Sequence, residues 1–77
     1  MNRILIVEDD RDIAGNLLLL LKKEGFTAVA VGTREESLEQ IRRESFDLVL
    51  LDLMLPDGNG YSVCTAIKRE ADIPVIF

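Results

Sequence analysis

Histidine is absent from this chain, cysteine occurs once, and positive charge is the minority sign. Each shortage removes a class of function. Without histidine there is no imidazole to serve as a general base or to ligate a soft metal. A single cysteine, Cys64, allows no intrachain disulfide framework, and with no histidine to activate it a buried small hydrophobe is its expected role. Nine Lys and Arg stand against fourteen Asp and Glu, a net charge of −5, with no basic cluster to neutralise a phosphate backbone. The longest apolar run, Leu17 to Leu21, is far short of the roughly 20 residues a membrane helix needs, so no membrane partner is expected. With no signal sequence in view, the expected compartment is cytoplasmic. No repeat, linker or low-complexity stretch divides the 77 residues, which make one small domain, 1–77, with a thin stability margin.

What is present is an alternation of aliphatic runs and amphipathic segments, with 48% hydrophobic and 30% charged residues, as in a globular protein. Ile4-Leu5-Ile6-Val7 and Leu48-Val49-Leu50-Leu51 are continuous runs without polar alternation, which suits strands covered on both faces of a parallel sheet. Thr27 to Val31 is a weaker strand expected at an edge, and Pro74-Val75-Ile76-Phe77 begins a fourth. Between them the spacing predicts a helix over Arg11–Lys23, with a core stripe of Ile13, Leu17, Leu20 and Leu21 beside Ala14. Leu18 and Leu19 fall off that stripe, either as ordinary exposed leucines or as a lateral contact. Gly25 is the expected left-handed stop. Thr33-Arg34-Glu35-Glu36 has the spacing of a capping box, so a second helix starts near Arg34 with Ser37, Leu38 and Ile41 inward. A third covers about Tyr61 to Glu70, with Val63, Cys64 and Ile67 inward, after a Pro-Asp-Gly-Asn-Gly loop. Strands alternating with helices mean right-handed βαβ units. The expected architecture is α/β: a doubly wound parallel sheet in the order 2-1-3-4, helix one on one face and helices two and three on the other.

In that order the ends of strands one and three meet. The first strand runs into Glu8-Asp9-Asp10 and the third into Asp52, at the carboxyl edge where open α/β sheets keep their ligand crevices. Acid at loop ends for solubility is the plainer alternative, but converging carboxylates repel and favour protonation unless something positive joins them. With only oxygen donors on offer, the fitting ion is hard, such as Mg²⁺.

The strand ending in Glu8-Asp9-Asp10, the segment Leu-Asp-Leu-Met-Leu-Pro-Asp-Gly-Asn-Gly around Asp52 and the Ile-Pro-Val-Ile-Phe start of strand four resemble the receiver domain of two-component response regulators. The likeness runs in order through the whole chain, and the Leu-Met-Leu-Pro wording is most similar to regulators carrying a winged-helix DNA-binding domain. The resemblance implies a flavodoxin-like fold, here partial, lacking the fifth strand and last two helices. It implies that Asp52 accepts a phosphoryl group from a phosphohistidine on a sensor histidine kinase. It further implies that Asp9 ligates Mg²⁺ directly, Glu8 acts beside it through water, and Met54 contributes its backbone carbonyl. Pro56 and Gly60 match residues that shape the following loop, and Asp10 is left to cap helix one.

The resemblance stops short of the family's Ser or Thr after strand four and its Lys after strand five, and Lys22, Lys23 and Lys68, all on helices, fill neither place. The chain is therefore expected to be a fragment of a longer regulator, acting as a phosphoacceptor and not as an enzyme, with DNA reached only through an output domain outside these residues. Strand four as an open edge, under an incompletely covered sheet, is expected to favour homodimerisation or other self-association. Two other readings stand beside this one. A haloacid-dehalogenase-type phosphatase would use the same aspartate and Mg²⁺, although Met54 occupies the place of its second aspartate. A receiver-like module without phosphorylation would only dimerise.

Overall fold

The computed structural model describes residues 2–52 and 54–77, and the aliphatic runs form the middle of its main sheet. In chain order the elements are β1 (Arg3–Val7), α1 (Arg11–Lys23), β2 (Thr27–Val31), α2 (Arg34–Arg43), β3 (Leu48–Leu51), β4 (Met54–Leu55), β5 (Gly58–Asn59), α3 (Gly60–Glu70) and β6 (Val75–Ile76). The four-stranded sheet has the order β2-β1-β3-β6, all neighbours parallel, so the predicted 2-1-3-4 layout holds with β6 as the fourth strand. β2 and β6 are its edges, and β1 and β3 its centre.

Strand alternation sends Leu5, Val7, Val49 and Leu51 to one face. There they join Leu38 and Ile41 of α2, Val63 and Ile67 of α3, and Phe46 and Ile73 in one buried cluster. The α2 stripe Ser37-Leu38-Ile41 is buried as its spacing predicts, and the Ser37 hydroxyl donates to the Arg34 carbonyl at 2.6 Å, so its burial costs no unmet hydrogen bond. Ile4 and Ile6 point the other way, towards α1.

The caps follow local chemistry. Asp10 accepts from the Asp12 and Ile13 amides at the start of α1. Gly25 takes φ 88° just past its end, and Asn59 accepts from the Ser62 amide at the start of α3, so that helix begins at Gly60.

Three expectations are corrected. The α1 stripe is rotated: Ala14 is buried and Leu17, Leu18 and Leu21 are half-buried, whereas Ile13 and Leu20 are exposed. The helix lies over β1 and β2, so among the described residues its flank towards β3 and β6 is left open above the sheet, where Leu17, Leu50 and Ile76 line a groove. Cys64 is half-buried at the margin of the core cluster. The segment after Asp52, read as loop, contains a two-residue antiparallel ribbon pairing Met54 with Asn59 and Leu55 with Gly58. Strands so short leave no periodic pattern to detect. Among the described residues no helix is long and apolar enough to cross a membrane.

Candidate metal centre

Register brings the acids together. Val7 stands opposite Leu51 in the β1–β3 ladder, so the next residues, Glu8 and Asp52, emerge side by side. The Asp52 amide donates to the Val7 carbonyl at 2.9 Å, and the Glu8 amide to the Val31 carbonyl at 2.9 Å, which pins both backbones to the sheet end. Glu8, Asp9 and Asp52 each offer a carboxylate oxygen within 4.8 Å of the others. Glu8 and Asp52 are half-buried and Asp9 is exposed.

The crowding has an electrostatic signature. The Glu8 carboxyl is raised above the usual glutamate range, first by burial and then by the contacts of Asp52 and Asp9. The Asp10 amide, donating to its Oε2 at 3.1 Å, opposes this only in part. An added hard cation would remove this repulsion, and three oxygen donors at one point are the kind such a cation takes. The donor set therefore fits Mg²⁺. Ion pairs such as Arg42–Glu70 and Arg43–Glu39 lie on helical surfaces away from the strand ends.

Of the residues singled out in the sequence, Glu8, Asp9 and Asp52 come together. Asp10 turns away to cap α1, as expected. Met54 begins β4 two residues beyond Asp52; its side chain, like the whole of Leu53, lies outside the described residues. Beside Glu8 and Asp52 opens a groove of about 380 Å³, floored by Ile6 and Leu50 and flanked by Leu17 and Ile76.

Sequence reasoning missed Asp57. Its carboxylate accepts from the Arg34 amide at 2.7 Å and the Glu35 amide at 3.3 Å, spanning from the ribbon's turn to the first turn of α2. Those backbone donors, the Arg34 amide foremost, hold its carboxyl below the usual aspartate range. An aspartate beside proline and glycine signals a turn, and no local feature names a partner more than twenty residues upstream.

Comparison with known proteins gives a consistent result. The family described as the response regulator receiver domain matches residues 4–77. The chain is 45% identical over 76 residues to the sensory transduction protein RegX3 of Mycolicibacterium smegmatis, an alignment covering 99% of this chain and 33% of RegX3. It is 40% identical over 74 residues to the DNA-binding response regulator MtrA of Mycolicibacterium paratuberculosis, covering 96% of this chain and 33% of MtrA. The chain thus spans about a third of the length of these curated relatives. Among solved structures, the non-phosphorylated HemR receiver domain from Leptospira biflexa superposes with a TM-score of 0.89 at 37% identity, covering 97% of this chain and 61% of that one.

Proposed function

This chain belongs to the response regulator receiver domain family, and from that membership we propose that Asp52 is the phosphoacceptor of a two-component signalling pathway. The observation that carries the proposal is the meeting of Glu8, Asp9 and Asp52 within 4.8 Å at the carboxyl ends of the two central strands. A carboxylate is a weak nucleophile, so phosphoryl transfer depends on in-line placement and on neutralising charge. One Asp52 carboxylate oxygen attacks the phosphorus of a phosphohistidine on a sensor histidine kinase. The P–O bond forms as the P–N bond breaks, and the imidazole leaves with the electron pair and takes up a proton. Asp52 is suited to this because its amide is tied to the Val7 carbonyl, which fixes its backbone while the side chain faces the crevice. Asp9 and Asp52, with the Met54 backbone carbonyl, would hold Mg²⁺, and Glu8 would stand beside it. Bound there, Mg²⁺ supplies positive charge to the phosphoryl oxygens.

In this reading the chain is a phosphoacceptor and not an enzyme that turns over a small substrate. Its expected setting is cytoplasmic, and DNA is reached through an output domain outside these residues, as the relationship to a DNA-binding regulator suggests. Self-association would run through the β6 edge and the open α1 face, where Ile13, Leu20 and Ile76 are exposed.

The test is to incubate the native polypeptide with Mg²⁺ and a small acyl phosphate, then locate any adduct by intact mass and peptide mapping. A stable phosphoryl group on Asp52, abolished in Asp52→Asn and without Mg²⁺, is the expected result. Rapid hydrolysis of phosphomonoesters without an adduct would replace this reading with a phosphatase, and no reaction at all would leave only an interaction module.

A further inference from the structure

The first turn of α2 accounts for its donors in an unusual way. Four amides at a helix start lack intrahelical partners. Here the Glu36 amide donates to the Thr33 hydroxyl at 3.1 Å, while the Glu36 carboxylate reaches back to the Gly32 amide at 3.0 Å. The Arg34 and Glu35 amides, the first two of the helix proper, both go to Asp57. That carboxylate sits at the tip of the turn between β4 and β5, in the segment that follows Asp52. A ribbon of two-residue strands is not stable by itself. Among the described residues this one is held at its start by the Asp52 amide on Val7, along β4 by Leu55 packed against the core cluster, at its end by the Asn59 cap on α3, and at its tip by Asp57 on α2.

We propose that Asp57 is a positioning residue for the metal centre: by clasping the amino end of α2 it sets the height of the β4–β5 ribbon and thereby the Met54 carbonyl beside Asp52. The proposal rests on the metal reading above and adds a residue to it. Asp57 touches neither metal nor substrate and acts through the ribbon backbone. Its charge also faces the positive end of the α2 dipole, which strengthens the clasp.

The experiment is a Mg²⁺ titration of the native polypeptide, followed by amide chemical shifts near Asp52, on five proteins: wild type, Asp57→Ala, Asp57→Asn, Thr33→Ala and Asp9→Ala. Asp57→Ala should weaken Mg²⁺ binding about 10-fold, the lower end of what losing an outer support costs a metal site. Asp57→Asn, which keeps one of the two oxygen acceptors and loses the charge, should weaken binding by a smaller but measurable factor. Thr33→Ala removes a cap from the same helix end and should lower stability while leaving Mg²⁺ affinity at the wild-type value. If Asp57→Ala does not fold, the comparison of Asp57→Asn with Thr33→Ala decides: weaker Mg²⁺ binding confined to Asp57→Asn supports positioning. Equal affinities throughout the Asp57 and Thr33 variants, or equal losses in both, would overturn it and leave Asp57 a helix cap. Asp9→Ala separates the two readings. If it binds Mg²⁺ like wild type, the metal site itself is wrong; if it loses binding while Asp57 variants do not, only the positioning role falls.

Discussion

On one face of the sheet Leu5, Val7, Val49 and Leu51 meet Val63 and Ile67, every one of them at 4% exposure or less. On the other face Ile4 and Ile6 lie under α1, yet Leu50 is only half-buried and Ile13 and Leu20 stand 47% and 58% exposed. The same strands supply both faces, and the side chains are of equal hydrophobicity. What differs among the described residues is cover: two helices close the first face, and one helix, set over β1 and β2, leaves β3 and β6 open on the second. Burial in this protein follows from which element lies above a residue, and residue type alone does not predict it.

The comparison extends to the carboxylates at the crevice edge. Glu8 follows inward-facing Val7, so alternation turns it to the open face, where burial first and then Asp52 and Asp9 raise its carboxyl. Asp57 reaches α2, on the closed face, where backbone donors lower its carboxyl.

The largest contrast should appear in core truncations. Ile67→Ala leaves a cavity in the closed face and should cost about 3 kcal/mol, while Leu20→Ala on the open face should cost within about 0.5 kcal/mol. Urea denaturation of the native polypeptide measures both, and a comparable loss at Leu20 would mean that the open face is covered in solution. Next in size is association. A polypeptide of these 77 residues alone should self-associate, and Leu20→Lys with Ile76→Lys should shift it towards monomer, as read by size-exclusion chromatography with light scattering. A sharp wild-type monomer at low concentration would show that the open face needs no partner.

The smallest effect is the pH dependence, where the two faces should differ in sign. Glu8 has a raised carboxyl, so it binds protons more readily folded than unfolded. Its contribution is present below the unfolded value and is lost as pH rises through the folded one. Asp57 is depressed, so its contribution is present above the unfolded value and is lost as pH falls through the folded one. Without metal, Glu8→Gln should remove the decline in stability on going from mildly acidic to neutral pH, and Asp57→Asn should blunt the loss at low pH. Thermal unfolding across pH checks both, and matching slopes in the two variants would refute the contrast. Added Mg²⁺ should abolish the Glu8 effect and leave the acid limb unchanged.

Much of this protein was determined by short stretches of its sequence. The unbroken aliphatic runs read as central parallel strands, as β1 and β3 are, and Asp10, Thr33 and Gly25 act within a turn or two of their own positions. The convergence of Glu8, Asp9 and Asp52 was legible as well, because right-handed crossovers leave strands one and three adjacent and both run into acid. Tertiary structure decided the rest. The side of α1 that is buried depends on where the helix settles across the sheet, so Leu18 and Leu20 exchanged the roles their spacing predicts. The partner of Asp57 lies more than twenty residues upstream. A hydrogen bond across that distance depends on where the fold places both ends, and no local pattern in the chain specifies it.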